Sequence, residues 1–163
     1  MTTTSTANAP TTRPVAASES NLLPVPAAVR DAGLLIARVL LGVVLLVHGG
    51  QKLFVNGVEG TGAFFASVGV PAAEAAAAFA GTVEFVGGIL LILGALTQLV
   101  AVLVLVNMVG AYFYVHQAAG IYAADGGWEL IAVIGLAVAV FGLVGPGRFS
   151  IDALVAGRRA AKA

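Results

Sequence analysis

Four continuous apolar runs constrain this chain more than any other feature. Each spans about 17–25 residues, the length an α-helix needs to cross roughly 30 Å of hydrocarbon at about 1.5 Å per residue. They cover residues 31–54 (DAGLLIARVLLGVVLLVHGGQKLF), 72–96 (AAEAAAAFAGTVEFVGGILLILGAL), 98–116 and 128–144. None alternates with period two, so the runs read as helices rather than barrel strands. Spans two and three joined end to end would overshoot a bilayer, which predicts a hairpin at residues 94–98. The expected fold is therefore all-α, an integral membrane bundle of four transmembrane helices.

Composition agrees. Of 163 residues, 60% are hydrophobic and 10% charged. Soluble domains hold about 45–50% apolar and about 25% charged residues, and so short a chain cannot hide this excess from water. The formal net charge is zero, which gives no field to attract nucleic acid. With no cysteine, disulfides, thiolate metal sites and a dithiol relay within the chain are excluded. Two histidines are too few for a haem-rich or zinc-rich core.

Residues 1–28 are rich in Thr, Ser, Ala and Pro and lack a sustained apolar run, the composition of a disordered tail. They do not have the charged start followed at once by an apolar stretch that a signal peptide needs. The membrane domain is expected over residues 29–157, followed by a basic tail at 158–163. Between spans one and two, residues 60–70 (GTGAFFASVGV) predict a short helix or turn at the membrane interface. Gly145-Pro146-Gly147 ends the fourth span. Arg13 and Arg30 precede the first span, and Arg148, Arg158, Arg159 and Lys162 follow the last. The loop after span three carries only Asp125 and Glu129. Basic residues stay on the cytoplasmic side, so both termini are expected there, with Lys52 alone against the trend.

Ionisable groups within a span cost about 2.5–3.5 kcal/mol each and normally turn inward to partners. At about 100° per residue, Arg38, Gly42, Leu45, Gly49 and Lys52 share one stripe of the first helix, flanked by His48. Glu84 lies among Ala77, Ala80, Gly81, Gly87 and Gly88 in the same way. Small residues let helices approach closely in lipid, so both charged stripes face a neighbouring helix. Counting depth from the span ends at Phe54 and Ala72 brings Arg38 nearest to Glu84. That pair is either a register-fixing bond or part of a relay or ligand site, with His48 within reach. In the third span, Asn107, Gly110, Tyr114 and Gln117 share a face, while Tyr112 and His116 lie on another. Asn107 reads as an interhelical hydrogen-bonding group. Tyr112, Tyr114, His116 and Trp128 fit an aromatic belt. The sharper alternative is a pocket for a quinone or small polar ligand formed by His48, Lys52, Asn107, His116 and Glu129. Lys52 could instead snorkel to headgroups. Gly135, Ala139 and Gly142 in the fourth span read as packing, and no metal-ligand spacing appears.

Three blocks together carry a family resemblance. They are Arg38-Val-Leu-Leu-Gly42 with His48-Gly49-Gly50-Gln51-Lys52, then Glu84-Phe-Val-Gly87-Gly88, then Gly145-Pro146-Gly147-Arg148-Phe149-Ser150-Ile151-Asp152. Over residues 31–155 the chain resembles the DoxX family, small four-helix bacterial inner-membrane proteins related to the DoxD subunit of thiosulfate:quinone oxidoreductase. The resemblance implies a subunit or accessory factor of a membrane redox or oxidative-stress system, with redox enzymes as partners and the quinone pool within reach. A quinone-reactive subunit using His48, Lys52 and Glu84 is the second reading. A small transporter gated by Arg38 and Glu84 is the third. A homo-oligomer is compatible with all three.

Overall fold

The structure, a computed structural model, describes residues 25–161. Nearly all of the expected N-terminal tail and the last two residues of the basic tail lie outside the described residues. Among the described residues there is no strand. Helix α1 (Ala27–Gly50) continues into a π-helical turn at Gln51–Val55. Helix α2 (Gly57–Ser67) leads to α3 (Ala73–Leu93), and α4 (Thr97–Ala111) runs on through a second π-helical turn at Tyr112–His116. Two 3₁₀ turns, Gln117–Ala119 and Ala123–Asp125, then lead to α5 (Glu129–Val144) and α6 (Ile151–Ala160). The predicted hairpin falls at Gly94 and Leu96, both in left-handed backbone.

Helix α3 is the hub, packing on α1, α2 and α4, while α5 covers α4. The α1–α3 contact is made backbone to backbone through glycine. A Cβ on Gly49 would overlap the Phe85 backbone, and one on Gly88 would come 2.6 Å from Leu46 N and 2.7 Å from Gly42 O. Side chains cannot fit there, so the antiparallel register of the two helices is fixed. The apolar core runs through Leu45, Val83, Leu91, Val100, Ala101, Val104, Met108, Ile134 and Val138.

Polarity is inverted relative to a soluble bundle. Asp31, Arg38, Thr61, Glu84, Thr97 and Ser150 are buried, while Ile36, Leu40, Val47, Val102, Val109, Val133 and Leu136 lie exposed. In water this shell would far exceed the few hundred Å² of apolar patch a soluble monomer tolerates; in a bilayer it meets lipid. The helical stretches Ala27–Val55, Thr97–Ala119 and Ala73–Leu93 are long and apolar enough to cross a membrane. The fourth, Glu129–Val144, is apolar but has only 16 residues.

The short helix expected between the first two spans forms as α2, 11 residues long, with Gly62 against Glu74. One element differs from expectation. The chain after Val144 does not trail off: Ser150 Oγ accepts from Ala153 N, 3.1 Å away, and starts α6, which includes Arg158 and Arg159. The serine cap was present in the sequence, but a span-length search passes over a ten-residue helix of mixed polarity.

Candidate functional site

The charged groups collect at opposite ends of the bundle. At one end Arg38, 1% exposed, donates from Nη1 to Pro146 O at 3.1 Å and from Nη2 to Phe149 O at 2.8 Å. Gly94 leaves room for that guanidinium, because a Cβ there would overlap Nη1. Asp152 closes the lock. Its carboxylate accepts from Leu96 N at 2.9 Å and Thr97 N at 3.0 Å, while its own N–H donates to Gly94 O at 3.0 Å. Burial pushes the Asp152 carboxyl up. The hydrogen bonds from Thr97 and Leu96 and the nearby Arg38 charge outweigh it, so the group sits below the usual carboxylate range. The Gly145–Asp152 stretch is thus bonded to the middle of α1, the end of α3 and the start of α4.

The expected Arg38–Glu84 pair does not form. Gly49 lies against Phe85, Gly42 against Gly88 and Ile92, and Arg38 against Gly94. Glu84 is therefore ten residues, about 15 Å, from the level of Arg38. The depth count failed because Phe54 and Ala72 are not level. Gly81 lies beside Lys52 and Leu53, so the first two turns of α3 project past the end of α1 and pack on α2.

Glu84 instead bonds at the other end. Lys52 Nζ donates to Glu84 Oε2 at 2.6 Å, and Asn107 Nδ2 donates to Oε1 at 2.9 Å. Three helices thus meet on one carboxylate whose side chain is 6% exposed. The lysine amine turns inward rather than toward headgroups. Lys52 stands in the π-helical turn, in which Asn56 N donates to Gln51 O, five residues back. Thr61 Oγ1 of α2 donates to the Lys52 carbonyl at 3.0 Å and braces the turn.

Beside this constellation is a cavity of about 580 Å³. Its polar lining comes from His48, Lys52, Glu84, Asn107, Tyr114 and His116. Apolar walls come from Leu45, Phe64, Phe65, Phe79, Met108, Ile131 and Ile134 among others. The cavity therefore gathers His48, Lys52, Asn107 and His116 as expected of a pocket, and adds Glu84 and Tyr114. Glu129 does not line it; the exposed carboxylate accepts from Ala123 N at 2.8 Å and closes the loop instead. His116, placed on another face by strict α-helical counting, joins the lining because the second π-helical turn changes the register after Ala111. Single π turns inside α-helices recur at functional sites, and here both border one cavity. Tyr112 packs edge-on against Trp128 with centroids 6.2 Å apart, bracing the rim loop.

A bundle with a lipid-facing exterior, one end laced shut and a polar-floored cavity at the other defines a ligand-sized membrane site. Residues 33–117 match the DoxX family model, and the chain belongs to that family. It is 36% identical over 127 residues, 71% of its length and 76% of the relative's, to the uncharacterized membrane protein Rv3486 of Mycobacterium tuberculosis. It is 38% identical over 89 residues to "Putative oxidoreductase CatD" of Bacillus subtilis, covering 55% of this chain and 63% of that one. The inner membrane protein YphA of Escherichia coli is 30% identical over 131 residues, 77% of this chain and 91% of its own. No solved structure matches the chain.

Proposed function

We propose that this DoxX-family protein is the membrane subunit of a redox system and that its cavity binds a quinone ring. The carrying observation is the cavity itself. At about 580 Å³ it lies within the roughly 300–1,000 Å³ of small-molecule sites, with apolar walls and a few convergent polar groups. Lys52 keeps N–H donors beyond the one given to Glu84, and a ring oxygen can accept them. The aromatic and aliphatic wall suits the ring and the start of its isoprenoid tail. The name of the Bacillus subtilis relative supports the redox class. With no cysteine in the chain, thiol chemistry would come from partner enzymes.

The same reading sets the protein in a bacterial inner membrane with four crossings, α2 at the outer interface and both termini in the cytoplasm. Its support is an asymmetry of charge. Arg30, Arg148, Arg158 and Arg159 gather at the Arg38 end, where Arg148 Nε approaches Asp31 to 4.0 Å. Glu59, Glu74, Asp125 and Glu129 lie at the cavity end, where Lys52, the one Lys or Arg there among the described residues, is bonded inward. Four crossings require α5 to span with its 16 residues and adjoining loops. A gate made by Arg38 and Glu84 finds no support, since each bonds other partners.

The test is purification in native nanodiscs followed by organic extraction and mass spectrometry. Isoprenoid quinone near one per protein is expected. Quinone no richer than in discs holding an unrelated membrane protein would contradict the reading.

A further inference from the structure

Both histidines of the cavity are held in one tautomer. His48 Nδ1 lies 2.9 Å from Val44 O, and His116 Nδ1 lies 2.6 Å from Gly126 O. A carbonyl oxygen only accepts, so in each neutral ring Nδ1 carries the proton. Nε2 is then a lone-pair acceptor on the edge turned away from the backbone, in two rings that line the same cavity. Lys52, hydrogen-bonded to Glu84, supplies donors to that space.

We infer that the cavity selects the reduced, hydroxyl-bearing form of its ring over the oxidised, carbonyl form. This rests on the quinone reading above and specifies the redox state bound. A quinone carbonyl accepts from Lys52 but offers no proton to either imidazole. Seating it would strip water from two acceptors and leave them unpaired, the loss that buried polar groups penalise most. A quinol hydroxyl does both: its O–H donates to Nε2 while its oxygen accepts from Lys52. A site built to bond a hydroxyl rejects the analogue that lacks it far more strongly than an apolar pocket rejects a change of size. The acceptors stand on α1 and on the far π-helical turn of α4, so they can address the two oxygens of one ring from different walls.

The experiment is anaerobic calorimetry on the full-length protein in phosphatidylcholine nanodiscs, titrated with decylubiquinone and with decylubiquinol. Wild type should bind the quinol at least tenfold more tightly. The His48→Phe/His116→Phe variant should bring the ratio near one, by weakening quinol binding and by relieving the quinone of the two unpaired acceptors. Should the double variant fold poorly, His116→Phe alone reads the same ratio, because that ring is the last residue of its π-helical turn and lies outside the buried core. Equal affinities in wild type, or a ratio preserved in both variants, would overturn the inference and leave the quinone reading standing. Binding of neither form would remove both.

Discussion

Lys52 Nζ stands 2.6 Å from Glu84 Oε2, joining α1 to α3 from within the bundle, and Asn107 of α4 holds the other carboxylate oxygen. Removing one partner of a buried pair typically costs about 3–5 kcal/mol, because the other charge is left uncompensated. Lys52→Ala and Glu84→Ala should each lower the detergent melting temperature, while the double variant loses less than their sum. The matching cycle for Arg38 and Glu84 should show coupling near zero, as expected for groups far apart without shared partners. Coupling in the second cycle and none in the first would reverse the pairing described here.

Arg38 acts at the opposite end, through geometry as much as charge. Its two terminal nitrogens reach two separate carbonyls, Pro146 O and Phe149 O. A lysine carries the charge but not the fork. Arg38→Ala should free the segment around α6, seen as faster amide exchange over residues 147–160. Arg38→Lys should recover only part of that protection. Protection unchanged in both variants would show that the lock does not depend on the guanidinium.

The Asp152 carboxylate gives this end a pH signature. Its folded pKa is depressed, so its contribution is fully present above the unfolded value of about 3.9 and fades as pH falls through the folded one. The stability gap between wild type and Asp152→Asn should stay flat from neutral pH down to about 4 and close below it. A gap that opens on acidification would have the wrong sign.

The glycine contact of α1 with α3 sets a steric test. Gly49→Ala and Gly88→Ala place a methyl into backbone, whereas a Cβ at Gly110 meets nothing within 4 Å. The first two should cost several kcal/mol or prevent assembly, as overpacking against backbone does. Gly110→Ala should stay within about 1 kcal/mol of wild type, with a small gain from helix propensity. The three are compared by thermal melts in one detergent.

Much of this arrangement was legible from spacing. The stripe Arg38, Gly42, Leu45, Gly49 and the set around Glu84 both turn inward, because small residues and charges have nowhere else to go in lipid. The partner of Glu84 was not legible. Depth had to be counted from span ends, and α2 holds the start of α3 two turns beyond the end of α1. His116 was assigned the wrong face for a related reason. A π-helical turn changes register without a residue type that announces it, so periodicity past Ala111 misleads. The α6 helix left a cap signal at Ser150 that carries little weight against four apolar runs.

Topology is tested by reporter fusions. Fusions after residue 97 and at the C-terminus should report cytoplasm, and fusions near Gly57 and Ala124 the outside. An external C-terminus would end the four-crossing arrangement.

The central claim, that the ring sits in the cavity bounded by the two π-helical turns, is tested most directly by photolabelling in nanodiscs with an azido-quinone and mapping the modified peptides. The account predicts adducts on cavity residues such as Phe64, Phe65, Tyr114 and His116. It also predicts their loss in Gly110→Leu, which fills open space in the cavity wall. Label spread over the lipid-facing side chains of Val102, Val109 and Leu136, unchanged by Gly110→Leu, would contradict it.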